Sequence, residues 1–216
     1  MAITFYYGSG SPFSWYVWLV LEQKKLPYDL KLLSLQGGDL KTPDYLAIHP
    51  KGKVPAIIDG DCTLWESTAI VEYLEDRYPE NPILAGDAKT KADIRRQVSE
   101  AYGYLYPPLR RLMEKTLMRK TNITTHDDKT IIDEALVNIR TELDYLERTI
   151  FQPYMNPSLT AADFAVYPLL ALVRRVQQKI PTLSTSLSFG PKTALLMKSI
   201  EALPFYEKTY PPHWKG

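Results

Sequence analysis

The stretch His49–Pro79, HPKGKVPAIIDGDCTLWESTAIVEYLEDRYP, decides the fold of this chain. It predicts two short strands, Val54–Asp59 and Thr63–Trp65, joined by the turn Asp59-Gly60-Asp61. A helix is predicted directly after the second strand, over Ser67–Tyr78, because apolar residues recur there at helical spacing. A hairpin that runs directly into a helix indicates a small α/β domain.

The residues before this stretch extend the same pattern. Ile3–Tyr7 predicts a strand that ends at Gly8-Ser9-Gly10. A helix is predicted over Phe13–Lys24, a second strand over Tyr28–Leu35 and one or two helical turns over Thr42–Ala47. The order within about 80 residues is therefore β-α-β-α-β-β-α.

No strand pattern recurs after residue 80. Prolines and a glycine mark a linker over 81–88, and helical patterns follow at Lys89–Lys120, Asp127–Ile150 and Pro191–Leu203. Pro107-Pro108 is expected to kink or break the first of these helices. Another helix is predicted to open at Thr160 with a capping box to Asp163 and a staple between Leu159 and Phe164. The chain is thus predicted to hold an α/β domain over 1–80 and an all-helical domain over 89–216.

Composition excludes several classes of protein. The chain has 216 residues, of which 45% are hydrophobic and 24% charged, and a net charge of +1 gives no reason to expect nucleic acid or an anionic membrane as a partner. The single cysteine, Cys62, cannot form an internal disulfide, so a reducing compartment is expected. No secretory signal or 18-residue apolar run is seen, and no metal site is predicted. We therefore expect a soluble cytoplasmic protein.

The dipeptide Val54-Pro55 is a candidate peptide-binding edge. A proline at the start of a strand cannot complete the hydrogen-bond ladder, which leaves this edge partly open. If the bond is cis, Val54 can offer its backbone N–H and C=O to a short extended peptide. An edge strand opened by a trans proline is the alternative.

Charged groups near this edge favour a ligand with carboxylates and an amine. Ser67 stands at a helix N-terminus, which favours a carboxylate, and Glu66 can receive an ammonium group. Lys41 and Lys53 can take a second carboxylate. The alternatives are an ordinary helix cap and solvated surface lysines.

Ser11 precedes the first helix, where a sulfur anion would be favoured by the helix dipole and by a hydroxyl donor. Lowering a thiol pKa by about two units requires about 2.7 kcal/mol of preference for the anion. One charge-assisted hydrogen bond together with a helix terminus can supply that amount. The alternative is a serine that only caps the helix.

Three stretches carry a resemblance to a known family: SPFSWYVWLVLEQKKLPYD, the stretch His49–Pro79 and SLTAADFAVYPLLA. Over essentially its full length the chain resembles the cytosolic glutathione transferases. The resemblance implies a thioredoxin-like domain with a mixed four-stranded sheet, an all-α domain after it and a homodimer. It further implies a detoxification enzyme that conjugates glutathione, as a co-substrate, to hydrophobic electrophiles, without a permanently bound cofactor.

The resemblance also assigns roles to residues. Val54 would pair with the cysteinyl backbone of glutathione, and Pro55 would be cis. Glu66-Ser67 would hold the γ-glutamyl end, and Lys41 and Lys53 would lie near the glycine carboxylate.

Several residues are candidates for activating the thiol. Ser11 matches the activating serine of serine-type members, such as the tau and phi classes. Tyr6 and Tyr7 are rivals, since tyrosine-type members place a tyrosine at the end of the first strand. Ser9 and Ser14 are weaker alternatives.

The second substrate is expected between the two domains, in a hydrophobic pocket to which the helical domain contributes. Phe13 is assigned to both sites, and Tyr106, Arg110 and Trp214, with Tyr102, are expected walls of the electrophile pocket. The chain lacks the cysteine that omega- and beta-type relatives carry before the first helix, which disfavours disulfide exchange. Pro12-Phe13 replaces the Ser-Cys of the zeta pattern and disfavours that class's isomerisation. A non-catalytic interaction module and a glutathione-dependent peroxidase or isomerase remain the alternative functions.

Overall fold

A computed structural model describes residues 2–118, 125–183 and 186–215. Its contacts divide the chain into two compact units, of which the first holds the residues up to Asp87 together with those from Leu203 onward, and the second is Ala88–Ala202. The sequence assigns the C-terminal residues to the helical domain. They group instead with the first unit because Trp15 of the first helix donates a 3.0 Å hydrogen bond to Thr209 and its ring packs against Tyr206 and Tyr210.

The first unit contains the predicted mixed four-stranded sheet. Its strands are β1 (Ile3–Tyr7), β2 (Tyr28–Leu32), β3 (Ala56–Asp59) and β4 (Cys62–Trp65), in the order β2-β1-β3-β4. β1 pairs parallel with β2 and antiparallel with β3, and β3 pairs antiparallel with β4. The second strand ends at Leu32 and not at Leu35, because its last partner on β1 is Tyr7.

The helices are, in chain order, α1 (Pro12–Gln23), α2 (Pro43–Ile48), α3 (Ser67–Arg77), α4 (Ala88–Glu100), α5 (Tyr106–Lys115), α6 (His126–Thr149), α7 (Ala161–Lys179), α8 (Pro191–Glu201) and α9 (Tyr206–Thr209). Short 3-10 turns cover Asp39–Lys41, Pro181–Leu183 and Pro212–Trp214. Within the described ranges, no helix combines the length and the apolar character that crossing a membrane would require.

The predicted helix Lys89–Lys120 is interrupted before its two prolines. α4 gives way to one π-helical turn over Ala101–Leu105, and α5 then begins with Pro107-Pro108 in its first turn. A proline has no N–H for the carbonyl four residues earlier, so the backbone ahead of the pair adopts a wider turn. The predicted end at Lys120 lies outside the described residues.

The capping box predicted at the start of α7 is confirmed. The Asp163 carboxylate accepts hydrogen bonds from the Thr160 N–H at 2.7 Å, the Thr160 hydroxyl at 2.9 Å and the Met155 N–H at 2.7 Å. Asp163 is fully buried, and burial raises the pKa of its carboxyl to about 6. The box thus fixes the loop before α7 onto the core of the second unit.

Candidate functional site

The start of the β3–β4 hairpin carries the candidate peptide-binding edge. The Val54–Pro55 bond is cis, as the resemblance implied. The register pairs Ala56 with Trp65, so Val54-Pro55 and Glu66-Ser67 lie at the same end of the hairpin. In the part of the chain that the structure describes, no hydrogen bond involves the Val54 backbone N–H or C=O. An open donor and acceptor therefore stand beside the start of α3.

Glu66 adopts a backbone conformation that is uncommon outside glycine. Its φ is +70° and its ψ is 113°, immediately before α3 begins at Ser67. Such a conformation costs on the order of 1–3 kcal/mol and tends to occur at functional sites. The Glu66 carboxylate is exposed and lies 3.8 Å from the Lys51 ammonium group. Ser67 is buried at the first position of the helix.

Lys51 was not singled out by the sequence, although Lys51 and Lys53 flank Gly52 in one loop. Exposed ion pairs contribute little to stability, so Lys51 adds chiefly a positive charge beside the open edge. The sequence feature that could have indicated Lys51 is the pattern Lys-Gly-Lys just before Val54.

The loop before Val54 is held by aromatic side chains. The Tyr45 hydroxyl donates a hydrogen bond to the Lys53 carbonyl. The buried His49 ring packs against Tyr45 and Trp65, with ring centroids 6.3 and 5.7 Å away. Burial lowers the pKa of His49, which favours the neutral ring at physiological pH. These contacts fix the backbone that leads to Val54.

Lys41 and Lys53 flank one close backbone contact. Gly52 has a φ of +55°, and a Cβ atom built on it would lie 2.5 Å from the Leu40 carbonyl oxygen. Only glycine allows this approach without a clash. Lys41 follows Leu40, Lys53 follows Gly52, and both lysines are exposed.

Serines surround the N-terminus of α1. Ser11 is the N-cap, and its Oγ accepts a hydrogen bond from the Ser14 N–H at 3.4 Å. Because Ser11 acts there as an acceptor, its hydroxyl hydrogen can still be donated. Ser14 is buried and its Oγ accepts from the Gly8 N–H at 3.3 Å. Ser9 Oγ lies 3.1 Å from His213 Nδ1.

The two rival tyrosines lie on opposite faces of the sheet. Tyr7 lines a small pocket together with Ser9, Ser11 and Ser14. Its ring packs 4.9 Å from Trp18, and burial raises the pKa of its phenol. Tyr6 instead packs 5.8 Å from Tyr45. Of the two, only Tyr7 lines the pocket that contains Ser11.

Gly8 joins the serine pocket to the peptide edge. A Cβ atom at Gly8 would lie 3.1 Å from Val54 Cγ2 and 2.5 Å from Leu35 Cδ2. The end of β1 and the start of β3 also meet through the pair Tyr6 and Ala56. The predicted thiol-activating and peptide-pairing groups thus lie next to each other at one end of the two central strands.

The residues assigned to the electrophile pocket belong to both units. Phe13 lies half-buried in the first turn of α1, and Trp214 packs with its ring centroid 5.7 Å from that of Trp15. Tyr106 and Arg110 lie on α5 of the second unit, where Arg110 forms a 2.7 Å ion pair with Glu114. Burial raises the pKa of Tyr106.

His213 is a candidate site residue that the sequence did not indicate. It is 204 positions from Ser9, and only the packing of the C-terminal tail brings the two together. A Cβ atom on Gly10 would lie 3.1 Å from His213 Cε1 and 3.3 Å from Trp214 Nε1, so the tail lies directly on the loop before α1.

Comparisons of the sequence and of the structure with known proteins point to the same family. Residues 10–77 match the model of the glutathione S-transferase N-terminal domain. The crystal structure of a glutathione S-transferase from the Antarctic clam Laternula elliptica is 30% identical, with a TM-score of 0.82, and the match covers 100% of this chain and 94% of that one.

Plant relatives match over shorter stretches. Glutathione S-transferase 1 of Dianthus caryophyllus is 38% identical over 40% of this chain and 39% of that protein. A probable glutathione S-transferase of Oryza sativa subsp. japonica is 31% identical over 64% of this chain and 66% of that protein. The matches thus span between about two fifths and two thirds of these two relatives. Since the clam enzyme matches over nearly its whole length, the chain belongs to the glutathione S-transferase family.

Proposed function

We propose that this protein ionises the thiol of glutathione and joins the sulfur to hydrophobic electrophiles. The observation that carries the proposal is the meeting of three features at one end of the sheet: the Ser11 hydroxyl at the start of α1, the open backbone of Val54 and the start of α3 at Glu66-Ser67. Gly8 lies between the first two of them.

Each polar group of glutathione has a matching group at this end of the sheet. Its cysteinyl amide can pair with the N–H and C=O of Val54 in the manner of an added strand. Its γ-glutamyl carboxylate suits the N-terminus of α3, and its ammonium group suits the exposed Glu66 carboxylate. Lys41 and Lys53 supply positive charge for the glycine carboxylate. Phe13 belongs to the same turn as Ser11 and provides an apolar neighbour for the cysteinyl methylene.

Ser11 is assigned the activation of the thiol. Its Oγ accepts from Ser14 and can donate its hydrogen to a sulfur anion, while the α1 dipole adds stabilisation. Together these effects supply the roughly 2.7 kcal/mol that lower a thiol pKa by about two units. Ser14 is buried, and Ser9 is paired with His213.

The conjugation step needs no group beyond the two substrates. With an aryl halide, the thiol proton passes to solvent, the sulfur forms a C–S bond and halide leaves with the electron pair of the broken carbon–halogen bond. The protein contributes the thiolate fraction and the alignment of the reactants.

The decisive experiment compares Ser11→Ala with Tyr7→Phe. Turnover of 1-chloro-2,4-dinitrobenzene should fall about 10- to 100-fold in Ser11→Ala, the loss expected for removing about 1.4–2.7 kcal/mol of anion stabilisation. The thiolate absorbance of bound glutathione near neutral pH should fall in the same variant. Ser158→Ala, at an exposed position of the second unit, is the matched control. A normal rate in Ser11→Ala with a lost rate in Tyr7→Phe would transfer the role to the tyrosine.

Further parts of the proposal follow the family. We propose a homodimer, a cytoplasmic location, a role in detoxification and glutathione as a co-substrate without a resident cofactor. Sedimentation tests the dimer. Calorimetry tests the non-catalytic alternative, because an interaction module that has lost its site should not bind glutathione.

A further inference from the structure

The loop between α2 and β3 is closed by hydrogen bonds to His49. The His49 carbonyl accepts from the Gly52 N–H at 2.8 Å, and Nδ1 of the His49 ring accepts from the Lys51 N–H at 3.3 Å. A side-chain acceptor that binds the N–H two residues further on forms the kind of turn that asparagine and aspartate make. The His49 ring therefore fixes the start of the segment Lys51–Val54, which we call the edge loop because Val54 is the proposed partner of the peptide.

The rest of the edge loop is held by contacts that do not change near neutral pH. Gly52 lies against the Leu40 carbonyl oxygen, which would be 2.5 Å from a Cβ atom on the glycine. The Tyr45 hydroxyl donates to the Lys53 carbonyl. Burial raises the pKa of Tyr45 to about 12, so this donor keeps its hydrogen. Of these contacts, only the hydrogen bond to His49 Nδ1 depends on a group that titrates near neutral pH.

The acceptor is the neutral form of the His49 ring. An imidazole nitrogen accepts a hydrogen bond only while it carries no hydrogen, so the hydrogen of the neutral ring is assigned to Nε2. Protonation places a second hydrogen on Nδ1, directed at the Lys51 N–H, whose nitrogen is 3.3 Å away. His49 is 2% exposed and packs against Tyr45 and Trp65, so the ring has little room to turn away. Protonation therefore breaks the hydrogen bond and leaves two donors facing each other.

The groups around the ring determine at which pH this happens. The titratable groups are Tyr45 on α2, Lys51 and Lys53 in the edge loop, and Glu66 just before α3; β4 contributes only the uncharged indole of Trp65. Burial has the largest effect and lowers the pKa of His49 below its ordinary value of 6.5. The Glu66 carboxylate raises this pKa, and the two lysines lower it further. The ring is thus neutral at pH 7 and takes up a proton in acidic solution.

We propose that His49 is a positioning residue of the glutathione site: its neutral ring holds the edge loop in the shape that pairs with the peptide, and protonation of the ring frees the loop and weakens binding. The inference rests on the proposed glutathione transferase function and adds to it an acid-sensitive control of the same site. A ligand that requires the acceptor form of the ring competes with the proton. The affinity therefore falls by at most about tenfold for each pH unit below the point at which the free protein takes up the proton.

The pH dependence of S-methylglutathione binding tests the role of His49. This ligand keeps the peptide of glutathione but has no thiol, so titration of the sulfur does not contribute. Calorimetry should show about tenfold weaker binding by the wild type at about pH 5 than at about pH 7.5, the loss expected for one broken hydrogen bond with two opposed donors. Carboxylates and lysines of the site are the same in every variant compared, so their own titration cancels from the comparison.

Two substitutions at His49 separate the acceptor from the charge. His49→Asn keeps an acceptor for the N–H two residues further on but does not titrate. It should bind within about twofold of the wild type at the higher pH and lose less than about twofold at the lower pH. His49→Ala has no acceptor and should bind about tenfold more weakly than the wild type already at the higher pH. His126→Asn, at an exposed position of α6, is the matched control and should keep the wild-type loss.

The ring itself gives a readout that a purely structural role would not change. NMR of the His49 Cε1–H should show that saturating S-methylglutathione lowers the pKa of the ring, which is the reciprocal of the loss of affinity on protonation. An unchanged ring pKa on binding, or the same loss of affinity in His49→Asn as in the wild type, would overturn the role of His49 alone. A loss that disappears in His213→Asn, the other histidine of the first unit, and persists in His49→Asn would do the same. Failure of glutathione to bind at any pH would overturn the proposed function as well.

Discussion

A buried ion pair between Lys24 and Glu75 holds together the elements of the first unit that carry the candidate glutathione site. The Lys24 side chain is 0% exposed, and its Nζ lies 2.7 Å from Glu75 Oε2 and 3.2 Å from the Glu80 carbonyl. The Glu75 carboxylate also accepts from the N–H groups of Ile83 and Leu84 at 3.2 and 3.0 Å. One carboxylate thus connects the end of α1, the helix α3 and the segment that leaves the first unit.

The cost of removing this carboxylate can be worked from its partners. Breaking a buried ion pair on one side costs about 3–5 kcal/mol, because a charge remains buried without compensation. Two N–H groups lose their acceptor as well, and each unsatisfied buried group costs about 1–3 kcal/mol unless water reaches it. These terms are not additive, so we expect Glu75→Ala to lose about 4 kcal/mol of unfolding free energy. For a chain of this length Tm should fall by about 8–16 °C.

Urea denaturation followed by tryptophan fluorescence measures the loss. Lys24→Met/Glu75→Leu removes both charges and should be more stable than either single variant, because no charge is then left unpaired. Glu207→Ala is the matched control, since its pair with Lys215 is exposed and should contribute less than about 1 kcal/mol. If Glu75→Ala cost no more than Glu207→Ala, or if the double variant were the least stable, the reasoning would be refuted.

Two further predictions concern the second unit. Asp163→Ala should cost about 3–5 kcal/mol in urea denaturation, because three buried donors of Thr160 and Met155 lose their acceptor; a loss below 1 kcal/mol would contradict it. The hydrogen bond from Lys115 holds the pKa of Asp128 below its ordinary value of 3.8. The ionised carboxylate therefore stabilises the folded state above that pH, and this stabilisation is lost as the pH falls below it. Asp128→Asn should therefore show a smaller fall in stability between about pH 5 and about pH 2 than the wild type, and equal slopes would contradict this assignment.

The sequence predicted elements well where local chemistry sets their limits. β1 has the predicted bounds because glycine follows directly, and α3 ends one residue early because Pro79 disfavours helical geometry at Tyr78. The third strand begins at Ala56 and not at Val54, because Pro55 cannot donate to the ladder. Strand ends that depend on pairing with another strand were less predictable, because β2 ends where β1 no longer provides a residue to pair with.

The same difference between local signals and long-range packing applies to the residues of the candidate site. Val54, Glu66 and Ser11 stand out because each carries a local signature: a proline after it, a helix start beside it or a cap position. The Ser9–His213 pair has no such signature, since its members are 204 positions apart. The sequence placed the tail with the helical domain for the same reason, because helical spacing does not reveal that Trp15 will bind Thr209.

Gly8 explains why Val54 and the N-terminus of α1 can lie so close together. Three chain segments meet at its Cα: the end of β1, the residues before β3 at Val54 and the loop that carries Leu35. A side chain there would have to displace Leu35, whose Cδ2 lies 2.5 Å from the position of a Cβ atom. The absence of a side chain thus allows Val54 and Leu35 to approach the end of β1. In our proposal Val54 pairs with the cysteinyl residue of glutathione while Ser11 meets its sulfur, so the packing of the backbone at Gly8 brings the group that holds the peptide close to the group that activates its thiol.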